Sequence, residues 1–384
     1  MKINKPKHPV VIIGAGIAGL AAAQTLQELG IPHLILERTS VPGGRLASQY
    51  GDGWIADHGT QYVEQKDTTI LDLIRKVGME ENRVSIQGGI LKLNADRTIS
   101  TPPGGGIDLR RLCIDYGFGA FTDRLAKMLN VRYGTHVSAV RWDNDDKTFW
   151  WEKEGKVFWF EDHEGKPIAD PVTQKLVLGS GLIIATTPTV ASTIANNSPS
   201  LALIAPLLSE VHLSANLTAV FKVPHQPGNY YALKGEPGAR IKWLAFEDRK
   251  APERIASEFS LLVATASDEW SAKLLKEDAE TALAELWVET RNVLPSLPEL
   301  PLDQMWKKWS AAVLTSKPLG QPLQRGIASG HWPTNPDYAP FALAGDYIHG
   351  HDADDAARSG VEAAYIVASQ LPKKRHILGL EIPA

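Results

Sequence analysis

The chain has 384 residues, a formal net charge of −4, and 43% hydrophobic and 22% charged residues. These are the proportions of a globular protein long enough for two domains, and the near-neutral balance gives no electrostatic reason to expect nucleic acid or an anionic membrane as a partner. A single cysteine, Cys113, excludes an intramolecular disulfide and a cysteine-built metal site, and no apolar run approaches the roughly 18 residues of a membrane span, so a soluble cytoplasmic protein is expected.

Val10–Ile13 is a short apolar run suited to a buried parallel strand. Gly14, Gly16 and Gly19 follow in G-x-G-x-x-G spacing, and residues 21–29 read as a helix stopped by Gly30. In such a strand–turn–helix Gly14 makes the tight turn, Gly16 lets a pyrophosphate approach the backbone, and Gly19 lets the helix pack on the strand. The free N–H groups at the helix start, around Ala18, favour the diphosphate. His33–Leu36 is the second strand. Glu37 ends it roughly 20 residues beyond the glycines, where a carboxylate accepts from an adenosine ribose, with Arg38 beside it.

Gly43-Gly44-Arg45 comes next, then Asp57-His58-Gly59-Thr60-Gln61-Tyr62. Residues 67–77 read as an amphipathic helix, and Thr101-Pro102-Pro103-Gly104-Gly105-Gly106 is a breaker cluster. A helix over 120–129 and a strand over 136–142 follow. Asp143-Asn144-Asp145-Asp146 lacks the glycine and distal Glu of a calcium loop and reads as a solvated turn. Residues 150–160 look like a hairpin turning at Glu154-Gly155, and Trp142, Trp150, Trp151 and Trp159 read as sheet core in preference to an aromatic binding face.

An apolar strand over 182–185 ends at Pro188. From 201 to 334 the texture changes to alternating strands (216–223, Ile241–Phe246, 260–264) and one helix, Ala279–Val293, which together read as an antiparallel sheet with a helix. Trp306 and Trp309 are open to two readings, site or core. Residues 341–371 are strand, loop and long helix. Asp352 caps that helix, either alone or with the helix start also facing a bound ligand. His349, His351 and Asp352 are too close in sequence to converge on one ion, and no metal is expected. No Ser–His–Asp signature and no G-x-x-x-x-G-K-[ST] loop is present.

A G-G-R after the ribose-binding acid and a D-x-G at Asp57–Gly59 resemble the FAD-dependent amine oxidase superfamily. Within it the chain resembles the renalase family over nearly its whole length. Asp57-His58-Gly59-Thr60-Gln61-Tyr62 is similar to that family's D-x-G-A-Q-Y, and Ile183-Ile184-Ala185-Thr186-Thr187-Pro188 to its apolar strand and turn. Asn292-Val293-Leu294-Pro295-Ser296-Leu297-Pro298 followed by Lys308-Trp309 is similar to its N-x-L-P-x-L-P then K-W. Phe341-Ala342-Leu343-Ala344-Gly345-Asp346 begins the closing flavin-binding segment. The chain departs from the pattern at Ala311-Ala312, in the Trp-rich segment 150–165, and at residues 350–355.

The resemblance implies an α/β protein: a Rossmann-type FAD-binding domain, discontinuous in sequence (1–90, 118–200 and 335–384), with a second antiparallel-sheet plus helix substrate domain (91–117 and 201–334). It implies non-covalent FAD held at Gly14, Gly16, Ala18, Gly19, Glu37, Arg38, Gly43, Gly44, Arg45, Gly59, Val137 (through its backbone), Gly345, Asp346, Asp354 and Asp355. Gln61, Tyr62 and Trp309 would form the substrate wall. The implied reaction is hydride removal from dihydronicotinamide isomers of NAD(P), with oxygen reduced to hydrogen peroxide. The alternatives are an amine oxidase or desaturase-type dehydrogenase of the same superfamily, and a non-catalytic FAD-binding protein.

Overall fold

The computed structural model describes residues 8–142, 158–251, 254–255, 258–320, 340–371, 375–377 and 380–382. The acidic run 143–146, Trp150, Trp151 and the turn at Glu154-Gly155 lie outside these residues, as does the side chain of Trp142. The chain divides into two compact units, Met1–Gly44 with Thr122–His212 and Leu314–Ala384, and Arg45–Phe121 with Leu213–Val313. Gly89–Leu93 pairs into the second unit's large sheet.

The first unit is built on a five-stranded parallel sheet in the order Val131–Arg132, His33–Leu36, Val10–Ile13, Gly181–Ile184 and Phe341–Leu343. Val10–Ile13 and Gly181–Ile184 are buried at every position, as strands covered on both faces must be. The helix Ile17–Glu28 is buried without a break from Ile17 to Leu26, so it is an interior helix rather than an amphipathic one. The final helix, Ala353–Gln370, crosses it at Gly360, where a Cβ would lie 2.0 Å from the Ala18 carbonyl oxygen. Only glycine permits that approach. Beside this sheet, Ala139–Trp142, Phe158–Glu161 and Leu178–Gly179 form a three-stranded antiparallel sheet. Phe158 and Phe160 are fully buried there, while Trp159, on the alternate face, is only partly so.

The second unit has a seven-stranded sheet in the order Asp303–Leu314, Leu213–Pro224, Phe259–Ala266, Ile241–Phe246, Tyr230–Gly235, Gly89–Leu93 and Ile99–Ser100. The expected strands at 216–223 and 260–264 are present but longer. One pairing departs from the expected antiparallel pattern: Tyr230–Gly235 runs parallel to Gly89–Leu93. The helix Ala279–Val293 starts at Asp278, whose side chain accepts from Thr281 N–H at 2.9 Å. Its buried positions Ala282, Leu283, Leu286, Trp287, Thr290 and Val293 follow the helical period. They close a core with Phe221, Leu244 and Leu262 on one face of the sheet. Trp306 packs against this core, whereas Trp309 stacks on His58. Three residues apart in a strand means opposite faces, so one tryptophan is core and the other is not. Among the described residues no helix is long and apolar enough to cross a membrane.

Candidate active site

In the first unit the glycine turn has the packing its spacing implies. Gly14 has φ +103°, and a Cβ there would meet the Ala185 carbonyl oxygen at 2.6 Å. A Cβ on Gly19 would lie 2.0 Å from the Gly14 oxygen. At Gly16 a Cβ would meet nothing within 4 Å. Two glycines are therefore required by the protein's own backbone, and the middle one leaves open space over the start of Ile17–Glu28, where N–H groups are free to face an anion. Gly43 and Gly44 close one side of this space: Gly43 N–H donates to Ala15 O at 2.8 Å, and Gly44 approaches the Gly16 Cα.

Glu37 stands at the same turn. Its Oε2 accepts from Ala15 N–H and its Oε1 from the N–H and hydroxyl of Thr39, each at 2.7 Å. The carboxylate thus ties the glycine turn to the second strand and retains lone pairs for a further donor. Thr135 N–H donates to Glu37 O at 2.8 Å, which brings the loop leading to buried Val137 beside it, while Arg38 is exposed. At the same edge of the sheet, after the parallel strand Phe341–Leu343, Gly345 N–H donates to the Ser359 hydroxyl at 2.8 Å and Asp346 is buried. Asp352 caps the final helix by accepting from Asp355 N–H at 2.8 Å, with Asp354 in the first turn. Asp355 also accepts from His351 N–H at 3.0 Å, and His349 pairs with Glu362 at 2.7 Å.

The second unit gathers the other site residues on the segment 57–62. Arg45 donates to Ala312 O at 2.9 Å, and its own carbonyl accepts from Thr60 N–H. A Cβ on Gly59 would lie 2.0 Å from that carbonyl, so the glycine is needed for the segment to lie flat. Gln61 turns its amide nitrogen back onto Asp57 O, and its oxygen accepts from the Tyr231 hydroxyl at 3.2 Å. The Arg111 guanidinium lies 5.6 Å from the Tyr62 ring centre, and the Trp243 ring is 6.2 Å from it.

Behind this segment lies a fully buried ion network that the sequence did not reveal. Asp57 accepts from Lys250 Nζ (2.7 Å), Arg254 (2.8 Å), the Ser48 hydroxyl (2.5 Å) and Phe118 N–H (3.1 Å). Glu247 pairs with the same two cations, at 3.4 Å and 2.5 Å, and accepts from Asp57 N–H. Burial alone would raise the Asp57 pKa, but Arg254 and Lys250 outweigh it and hold the carboxyl well below its usual range. In sequence, Glu247, Lys250 and Arg254 look like part of a solvated charged loop, the usual place for such residues.

His58 is buried, its ring 5.4 Å from Trp309, and its Nδ1 has no hydrogen-bond partner. Burial, aided by the charge of Lys307 and only partly opposed by Asp57, lowers its pKa from 6.5 to about 4, so it is neutral at pH 7. The unfolded chain takes up this proton first. The stabilising effect of a neutral His58 is therefore complete above pH about 6.5 and is lost as pH falls toward about 4. His58→Asn should flatten the dependence of the melting temperature on pH across that window, which melts at pH 7 and pH 4.5 will show. Equal losses in both proteins would place the titration elsewhere.

A family model for flavin containing amine oxidoreductases matches residues 17–105 and 106–368. The chain belongs to that family. Its cofactor is FAD, and the open space over Gly16 beside Gly43, Gly44 and Glu37 has the chemistry to admit a dinucleotide's phosphates. An L-amino-acid oxidase of Daboia russelii is 40% identical to this chain over 83 residues, 21% of this chain and 16% of that protein. The match thus spans a small part of the curated relative's length. Among solved structures, cyclohexylamine oxidase of Brevibacterium oxydans IH-35A aligns with a TM-score of 0.68 at 13% identity, covering 95% of this chain and 100% of that one. Reduced UDP-galactopyranose mutase aligns with a TM-score of 0.67 at 13% identity, covering 94% and 96%. An oxidase and a mutase sharing one fold show that the fold alone does not choose the reaction.

Proposed function

We propose that this flavin oxidoreductase takes a hydride from dihydronicotinamide isomers of NAD(P), those with the hydride on ring carbon 2 or 6, and that oxygen is the final acceptor. This is the activity of the renalase family that the chain resembles. The donor leaves as NAD(P)+, and oxygen takes two electrons and two protons to become hydrogen peroxide. When bound, FAD supplies the hydride acceptor. The chain's own task is to hold a planar donor at about 3–3.5 Å from that acceptor and to exclude water. We assign Tyr62 and Trp309 to the wall that orients the ring, with Gln61 fixing the loop that carries Tyr62.

The observation that supports this reading over an amine donor is electrostatic. Amines reach neutral pH as ammonium ions. Arg111 lies over Tyr62 and Lys307 over Trp309. The carboxylates behind the segment, Asp57 and Glu247, are already neutralised by Lys250 and Arg254, and His58 is uncharged. Such surroundings repel a cation and suit a neutral ring with phosphates attached. The second reading, an amine or amino-acid oxidase, is favoured by the local likeness to L-amino-acid oxidase.

Anaerobic stopped-flow mixing with a donor panel tests both. The 2- and 6-dihydro isomers should bleach the flavin, with ordinary 4-dihydro NAD(P)H slow and primary amines inert. Tyr62→Ala should slow the bleaching more than it weakens FAD binding, because it removes donor positioning and leaves the glycine turn intact. Fast bleaching by amines with none by the isomers would move the protein to the second reading, and no bleaching by any donor would favour a non-catalytic flavin-binding role.

A further inference from the structure

Two side chains beside Tyr62 each hold a buried donor with no acceptor. Arg111 gives one guanidinium N–H to Gly106 O at 2.9 Å, but its Nε is buried and unpartnered. Trp243, its ring centre 6.2 Å from that of Tyr62, leaves its Nε1 buried and unpartnered as well. Both atoms are donors only, so nothing but an acceptor can satisfy them. Arg111 also forms no ion pair among the described residues. The nearby carboxylates are taken: Asp108 by Arg110 at 2.9 Å, and Glu64 by Lys66 at 3.0 Å. Arg111 and Trp243 are each only partly buried as whole residues.

The glycine cluster explains how Arg111 is held there. Gly104, Gly105 and Gly106 all have φ near +70°. A Cβ on Gly106 would lie 2.1 Å from the Ile90 oxygen, so the loop is pressed against the strand Gly89–Leu93 and offers its last carbonyl to Arg111. The guanidinium is thereby held beside the Tyr62 ring. A planar fork of this kind fits a phosphate or carboxylate, and the indole of Trp243 supplies a second donor beside Tyr62.

We propose that Arg111, with Trp243 as a second donor beside Tyr62, anchors an oxyanion of the electron donor, a phosphate or a carboxylate. The assignment rests on the reading that Tyr62 faces the donor. It makes Arg111 the residue that sets donor specificity, through charge.

Anaerobic reduction of the holoenzyme by 6-dihydronicotinamide mononucleotide and by 6-dihydronicotinamide riboside compares the same ring with and without a phosphate. The wild type should prefer the mononucleotide, and Arg111→Met should collapse the preference at least tenfold, with Arg111→Lys keeping most of it. Trp243→Phe, which retains the ring and removes one N–H, should narrow it less. The same preference in Arg111→Met as in wild type would overturn the proposal. If neither donor reduces the flavin, the donor class is wrong, and calorimetric titration of the holoenzyme with inorganic pyrophosphate and with L-leucine still decides the role of Arg111. Binding of either by wild type, weakened tenfold or more in Arg111→Met, upholds the anchor and separates phosphate from carboxylate. Binding of neither, or equal binding by both proteins, overturns it.

Discussion

Gly16→Val should give a folded protein that emerges colourless. The residue has φ −69° and ψ 172°, a conformation open to valine, and a Cβ there meets no atom of the chain within 4 Å. The substitution therefore costs the apoprotein little, while the branched side chain fills the space in which the pyrophosphate must approach the backbone. FAD affinity should fall by roughly 100-fold or more, equivalent to about 2.7 kcal/mol. Far-ultraviolet circular dichroism should match wild type. Gly19→Ala is the contrasting case. Its Cβ would lie 2.0 Å from the Gly14 carbonyl, so the first helix must lift off its strand and stability falls with or without FAD. Normal FAD uptake by the Gly16 variant would show that the open space is not the pyrophosphate's.

Arg254→Met should destabilise the second unit by about 3–5 kcal/mol, the usual effect of removing one partner from a buried ion pair. Arg254 is 2% exposed and binds both Asp57 and Glu247, as well as the carbonyl of Ile114. Without it two buried carboxylates share Lys250 alone. In a unit of this size the melting temperature should fall by roughly 6–20 °C. The effect has a pH signature. The Asp57 pKa is held below its unfolded value, so the network's contribution is complete above pH about 4 and is lost as pH falls through the folded value. The gap between wild type and variant should therefore narrow in acid. A loss below about 1 kcal/mol at pH 7 would mean that water or a rearranged Lys250 compensates the carboxylates.

The same network positions the segment that carries His58, Gln61 and Tyr62. Asp57 is clamped on both sides of its peptide, by Glu247 at its N–H and by Gln61 at its carbonyl. The aromatic wall proposed for the donor is thus built on an ionic base rather than on the hydrophobic core that holds the helix Ala279–Val293.

What the sequence determined alone is the tight glycine turn and the elements around it. Val10–Ile13 and His33–Leu36 occur over the residues their apolar runs marked, and Ala279–Val293 over the span read for it. These are local signals: period, capping and glycine spacing act within a few residues, and a short window contains all the physics they need. What only the tertiary structure decided is which distant residues meet. Lys250 and Arg254 reach Asp57 across 193 and 197 positions, and no local pattern separates them from the solvated charges around them. The division of Trp306 to the core and Trp309 to His58 needed the strand that carries them to be known as a strand. The parallel pairing of Gly89–Leu93 with Tyr230–Gly235 joins segments far apart in the chain, and strand register across such distances is set by the packed sheet and not by either segment's own residues.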